Sequence, residues 1–314
     1  MKNYQPLYTN GSVSNRFDRE CKDRYDFFKS ILSEYKRPFT VLDIGANLSY
    51  FGRRITEDFP LATVVSVEQD AEILTRGMSG YPLIGMNKKI NSDLLRVWST
   101  SEMFDVVFCL SIFHHLPKAD ALKAAVAAMS LGFEVFIEIP GKDDIVAGIR
   151  ESNFALHELL ENYNVRKEFF PSPTTRNVKR PTYIFNTFGK HIFTQWVNDC
   201  GGSPFNYNCT NRVVWNGKNK LPIFVHSSGY ERAWIPGINL ELLEKNNGYI
   251  SGENMVSRLS RIKVEKPHGD INAHNVIVSR NDLHLIDYGH YNRTNDDEAL
   301  LELLKVGSSI ISVV

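Results

Sequence analysis

Five short apolar runs alternate with helical segments between Phe39 and Pro140. That alternation restricts the first half of the chain to a doubly wound α/β fold, a parallel sheet with right-handed crossovers and helices on both faces. The runs are Phe39 to Ile44, Thr63 to Glu68, a short one between Pro82 and Ile90, Phe104 to Leu110 and Glu134 to Pro140. Helices are expected over Ser49 to Phe59, where Pro60 stops the first one, then over Ala71 to Gly77, Asp120 to Met129 and Asn153 to Tyr163. Two further runs, Val165 to Phe170 and Pro181 to Phe185, flank a Pro, Ser and Thr segment and predict an antiparallel hairpin closing the sheet edge. Residues 14–36 carry aromatic residues at helical spacing, which predicts a lead-in helix that packs on the sheet or lies across a ligand site.

Within this pattern the stretch from Val41 to Gly52 reads as a cradle. An apolar strand ends in Asp43, a small-residue turn follows at Gly45, and a helix starts near Ser49. Such a turn brings backbone N–H groups and a helix N-terminus close to a ligand, because no bulky Cβ stands in the way. Glu68 ends the second strand 25 residues after Asp43, where an acidic side chain reaches ribose hydroxyls. The fourth strand runs into Ser111, His114 and His115 at its carboxyl end, where open α/β sheets hold ligands. Either histidine could take a proton from an acceptor or orient it, and both also suit a structural loop.

The formal net charge is zero, so the whole molecule carries no field for nucleic acid or an anionic membrane, and no nucleic-acid partner is expected. No apolar run reaches the roughly 18 residues that a membrane span requires, and the first residues are polar. Cys21, Cys109, Cys200 and Cys209 show no paired spacing, which fits reduced thiols and a cytoplasmic protein.

These residues together resemble the class I S-adenosylmethionine-dependent methyltransferases. Asp43-x-Gly45 matches the first cofactor motif, Glu68 the ribose acid, and the run from Phe104 to Leu116 the fourth-strand signature, over roughly residues 38–187. The resemblance implies a Rossmann-like sheet with a terminal hairpin, and S-adenosylmethionine held by Asp43, Gly45, Asn47, Ser49, Glu68 and Ser111. The first motif departs from the family in two places, Ser49 for a frequent third glycine and Asn47 where a small residue is often found; this rules against G-x-G-x-x-G pyrophosphate binding and weakens the competing reading as a nicotinamide dehydrogenase.

A second constellation lies at His268-Gly269-Asp270, Asn275 and Asp287-Tyr288-Gly289. A loop acid, an amide five residues on, an apolar hairpin and a second acid suit phosphoryl transfer: one carboxylate orients the hydroxyl, while the amide and the other carboxylate hold Mg²⁺ on ATP. These residues resemble aminoglycoside-phosphotransferase-like and lipopolysaccharide kinases, with Glu231 to Leu240 similar to their hinge. By that resemblance Asp270 is the catalytic base, and Asn275 and Asp287 are metal ligands. The space before the hinge is short, no glycine-rich phosphate loop stands out beyond Cys200 to Ser203, and Lys190, Lys218 and Lys220 compete as the phosphate lysine. The layout is similar to bacterial bifunctional methyltransferase-kinases that terminate O-antigen polysaccharides. It implies a methyltransferase over 1–187, an abridged α+β kinase-like domain over 188–314, and a saccharide or small hydroxylated acceptor. A catalytically inactive kinase-like module that binds substrate is the alternative.

Overall fold

The computed structural model describes residues 4–14, 19–100, 102–144, 150–163, 165–172, 177–186, 190–193, 211–225, 231–262, 271–286 and 296–314. A small hairpin, β1 (Tyr8–Thr9) and β2 (Ser12–Val13), precedes α1 (Lys22–Leu32). Then come β3 (Phe39–Ile44), α2 (Tyr50–Asp58), β4 (Ala62–Glu68), α3 (Ala71–Met78), β5 (Ile84–Asn87), α4 (Ser92–Ser99), β6 (Phe104–Leu110), α5 (Lys118–Met129), β7 (Gly132–Glu138) and α6 (Arg150–Glu161). The hairpin β8 (Arg166–Pro171) and β9 (Lys179–Asn186) closes this half.

Strands β3 to β7 are parallel in the order β5-β4-β3-β6-β7, and β9 then β8 add antiparallel at the far edge, as the Pro-separated runs require. Side chains along each strand alternate between the two faces. Leu42, Ile44, Val107 and Cys109 join the core under α4, α5 and α6, whereas Phe39, Val41, Val106 and Phe108 join the core under α1, α2 and α3. Both faces are covered, which is why these strands are apolar throughout instead of half polar. Ala121, Ala124, Ala125 and Ala128 form a buried stripe at helical spacing that lets α5 approach the sheet closely. On the other face Phe28 of α1 packs against Phe108 and Phe136 at ring distances of 4.7 and 5.1 Å. The lead-in helix is therefore a packing helix.

Helix α4 is an addition to the sequence reading. Asn91 caps it by accepting the Leu94 N–H at 2.8 Å, and Leu95 and Trp98, three apart, are its buried face.

The remaining chain forms β10 (Lys190–Phe193), β11 (Asn211–Val214), β12 (Ile223–Val225) and β13 (Glu231–Ala233) in one antiparallel sheet. It continues through β14 (Ile238–Asn239), α7 (Leu240–Lys245), β15 (Gly248–Ser251), α8 (Met255–Leu259), β16 (Val276–Val278), β17 (Leu283–Leu285), α9 (Asp296–Ser309) and β18 (Ile311–Val313). Strands β14, β16 and β17 form a third sheet. β15 pairs antiparallel with β5, and β18 pairs with β15, so the large sheet has nine strands and includes both halves of the sequence.

The C-terminal part also docks at the amino ends of the parallel strands. Trp215 stacks on Phe133 at 5.1 Å, Lys218 pairs with Glu134 at 2.9 Å, and Arg280 Nη1 donates to the Thr56 and Pro60 carbonyls at 3.0 and 3.1 Å. Cys21 and Cys109 are buried free thiols; Cys200 and Cys209 lie outside the described residues. Among the described residues no helix is long and apolar enough to cross a membrane.

Glu102 sits in this junction, buried, with one carboxyl oxygen unpartnered among the described residues and a hydrogen bond accepted from the Asn239 N–H. Burial outweighs that one hydrogen bond and pushes its carboxyl up to about 8. Between the unfolded value of 4.5 and about 8 the folded state keeps a proton that the unfolded state has released, so stability falls as pH rises across that window. Glu102→Gln mimics the protonated form without titrating. Its stability relative to wild type should be near zero below pH ~4.5 and increase toward pH ~8, at up to about 1.4 kcal/mol per pH unit. Urea unfolding at several pH values checks this, and a pH-independent difference would reject it.

Candidate cofactor site

The turn after β3 is held by its own backbone. Gly45 has φ of +75°, and the N–H groups of Gly45 and Ala46 both donate to the Val67 carbonyl at 2.9 Å. Asn47 and Ser49 are also left-handed, each with φ of +51°, and the Asn47 N–H donates to Glu68 Oε2 at 3.0 Å. The expectation that this turn presents free amides to a ligand is corrected here: all three amides already have protein acceptors. What the turn offers is room. A Cβ at Gly45 would lie 2.6 Å from Ile112 Cδ1, so the glycine leaves space that any side chain would take from the cleft or from Ile112.

Glu68 is the best-prepared acceptor. Its Oε2 accepts the Asn47 N–H, and its Oε1 accepts the Asp70 N–H at 3.1 Å, while Asp70 caps α3 through the Glu72 and Ile73 N–H groups. Each carboxylate oxygen keeps a lone pair for a ligand hydroxyl. The side chain cannot swing away without giving up two charge-assisted bonds.

Asp43 lies behind this surface, buried with Oδ2 unpartnered among the described residues. Burial first and the nearby Glu68 second raise its carboxyl to about 7, against a smaller opposing pull from Arg24. Ser49 is also behind the surface. Its buried Oγ packs where α3 passes at Gly77, whose Cβ would stand 2.9 Å from that oxygen and 2.8 Å from the Leu48 carbonyl carbon.

Across the cleft, Ser111 adopts φ of +61°, donates its N–H to the Glu138 carbonyl at 2.9 Å and its hydroxyl to Glu138 Oε1 at 2.5 Å. Glu138 is fully buried and also pairs with Arg19 and Arg24. Burial alone would raise its carboxyl, but the two arginines and Ser111 hold it down to about 2. It is an ionised anchor, not a proton donor.

Of the two histidines only His115 lines the cleft. His114 is buried with its Nδ1 unpartnered among the described residues; burial, then His115 and nearby arginines, lower it to about 3, too weak a base for work at neutral pH. His115 is exposed and is also lowered, by partial burial and Arg180, so it is a neutral imidazole at pH 7.

The cleft formed by these groups measures about 610 Å³. Gly45, Asn47, Glu68, Ser111 and His115 line it. So do residues absent from the sequence reading: Tyr4 and Gln5 from the N-terminal segment, and Lys88, Lys89 and Ile90 after β5. The position of Lys88 to Ile90 at a strand's carboxyl end is a usable signal for them. Nothing in the spacing marks Tyr4 or Gln5.

In the second constellation Asp270 and Asp287 lie outside the described residues, as do Cys200 to Ser203. Asn275 is buried at the end of a one-turn 3₁₀ helix, Ala273–Asn275, and its N–H donates to Asn272 Oδ1 at 3.2 Å. The expected apolar hairpin follows as β16 and β17, with Val276 opposite Leu285, and returns the chain so that the Ile286 N–H donates to the Asn275 carbonyl at 2.9 Å. Lys218 is engaged by Glu134 at 2.9 Å and Glu34 at 3.1 Å.

No protein-family model matches the chain, and no curated protein matches it. Among solved structures it is similar to the bifunctional kinase-methyltransferase WbdD, at 15% identity and a TM-score of 0.49 over 98% of this chain and 84% of that one. It is also similar to the magnesium protoporphyrin IX methyltransferase ChlM from Synechocystis PCC 6803, at 13% identity and a TM-score of 0.41 over 58% of this chain and 88% of that one. A third is the plantazolicin methyltransferase BpumL, at 10% identity and a TM-score of 0.36 over 53% and 88%.

Gly45→Ala should cost about 1–2 kcal/mol of stability from the left-handed backbone alone, with the Ile112 contact adding to it. Chemical denaturation measures this. A loss under about 0.5 kcal/mol would mean that the turn relaxes and that Gly45 does not set its shape.

Proposed function

We propose that this chain is an S-adenosylmethionine-dependent methyltransferase joined to a phosphotransferase, acting on a saccharide or small hydroxylated acceptor, with functional units over 1–187 and 188–314. The observation that carries the first part is Glu68, fixed by the Asn47 and Asp70 N–H groups beside a turn kept open by Gly45. That arrangement fits a nucleoside whose sugar hydroxyls donate to Glu68. The Glu68 carboxylate also disfavours an anionic group at the turn itself.

S-adenosylmethionine supplies a methyl group on a sulfonium, and its transfer needs chiefly an acceptor atom placed in line at about 3–3.5 Å. Gly45 leaves the space, Glu68 orients the sugar, and Ser111 bounds the cleft toward β6 and β7. His115, exposed and neutral, is the group able to take a proton from an acceptor hydroxyl. Calorimetric titration with S-adenosylmethionine tests the reading. Glu68→Ala should weaken binding by about 1.5–3 kcal/mol, the range for a lost hydrogen bond to a charged group. An unchanged dissociation constant would sink the assignment.

The phosphotransferase part rests on the motif residues and on the Asn275 hairpin, which has the form that phosphoryl transfer needs to bring its metal ligands together. In this reading Asn275 and Asp287 hold Mg²⁺ on ATP, and Asp270 orients the acceptor hydroxyl. Asp287→Ala should abolish metal-dependent nucleotide binding, whereas Asp270→Asn should leave binding nearly intact and remove turnover. The pairing of Lys218 with Glu134 and Glu34 takes away one candidate phosphate lysine and favours the second reading, a substrate-binding module without turnover. Failure of the wild-type protein to bind Mg²⁺-ATP at millimolar concentration would establish that second reading.

A further inference from the structure

The N-terminal segment crosses the cleft, and one of its side chains has an unmet need. Gln5 is 6% exposed, lines the cleft, and its Oε1 has no hydrogen-bond partner among the described residues. Burying an unpaired amide oxygen costs about 1–3 kcal/mol, so a donor from a ligand is the simplest account of its persistence.

The segment is pinned on both sides of Gln5. Before it, the Tyr4 carbonyl accepts the Arg19 N–H at 3.0 Å and the Tyr4 hydroxyl accepts from Arg19 Nη1 at 2.9 Å. After it, the Ser14 N–H donates to the Leu7 carbonyl at 2.9 Å, and Tyr8 bonds Glu57. Gln5 therefore keeps its place whether or not the cleft is filled.

The sheet order tells which end of a ligand it meets. Lys88 to Ile90 follow β5 at one end of the cleft, Glu68 stands on β4, Gly45 follows β3, and Ser111 follows β6. The segment carrying Tyr4 and Gln5 is tied through Arg19 to Glu138 on β7, at the opposite end from Lys88. With the sugar on Glu68 and the base toward β5, the amino-acid end of the cofactor points toward Gln5. That end carries one strong donor, the α-ammonium.

On this basis we propose that Gln5 is a positioning residue for the cofactor's amino-acid end, its Oε1 accepting a hydrogen bond from the α-ammonium. The inference rests on the methyltransferase reading above. Two probes separate it from a merely structural role: S-adenosylhomocysteine, which has the ammonium, and 5′-methylthioadenosine, which has the same nucleoside and thioether without it. In the full chain, Gln5→Leu should weaken S-adenosylhomocysteine about ten-fold and leave 5′-methylthioadenosine within two-fold. Gln5→Glu, which retains an acceptor and adds charge, should bind S-adenosylhomocysteine at least as well as wild type. Glu68→Ala should weaken both probes alike, because both carry the ribose. An equal loss of both probes in Gln5→Leu would assign Gln5 to packing of the segment and overturn the inference. So would no loss of either, or a weakened Gln5→Glu, which would mean that the amide donates instead. Wild-type protein that binds neither probe would overturn the cofactor reading itself, a result distinct from these.

Discussion

A carboxylate buried at the end of β7 sets the upper surface of the molecule. Glu138 has no exposure, and an unpaired charge there would cost several kcal/mol or be neutralised by a proton. Arg19 and Arg24 supply the compensating charge and Ser111 a third bond. Because both arginines come from the segment before β3, satisfying one carboxylate places α1 against the sheet and carries Tyr4 and Gln5 over the cleft. The same bond from Ser111 fixes a left-handed residue at the end of β6 and so the start of the loop that holds Ile112 and His115. Such a network returns little net stability against a well-packed apolar substitute, and its effect is positional.

The two ends of the parallel sheet have different tasks. Carboxyl ends build the cleft, as the strand direction of open α/β sheets requires. Amino ends receive the C-terminal part through Trp215, Lys218, Glu102 and Arg280, while β15 brings that same part back along the edge to the cleft. Asn247, in the turn before β15, accepts the Asn87 N–H at 3.3 Å, and Asn87 in turn donates to the Glu68 and Gln69 carbonyls at 3.0 and 2.9 Å. Helix α7 has Asn239 at its start, donating to the His274 carbonyl at 2.6 Å, and Asn247 just beyond its end. One short helix therefore touches both the Asn275 turn and the wall behind Glu68.

How much of this was legible in the sequence follows from how local each cause is. Strands β3, β4, β6 and β7 were readable because burial on both faces makes each an apolar run by itself. The places of Gly45 and Glu68 were readable because each stands at a strand end. Helix α4 was missed although Asn91, Leu95 and Trp98 mark it, since a two-turn helix leaves few periodic positions. Strands β15 and β18 could not be found this way: their partners, Met86 for Gly248 and Tyr249 for Ile311, are far away in the chain and only the folded sheet selects them. Gln5 is the extreme case, a polar residue in an irregular segment whose burial is decided by an ion pair on β7.

The turn after β3 also explains, in physical terms, why the sequence pattern departs from that of a pyrophosphate site. A pyrophosphate needs free amides at a helix N-terminus and tolerates no nearby anion. Here the amides of Gly45, Ala46 and Asn47 are spent on Val67 and Glu68, and the Glu68 carboxylate stands at the same place. Asn47, where a dinucleotide motif has its second glycine, and Ser49 are both in left-handed backbone and shape the turn around those internal bonds. The cleft as a whole is lined by Lys88 and Lys89 as well as by Glu68 and Asp70, so its fixed charge is mixed; at the turn itself the amides are satisfied, and the open valences at Glu68 and Gln5 are acceptors. Beside the turn, therefore, the surface suits hydrogen-bond donors and not the oxygens of a pyrophosphate.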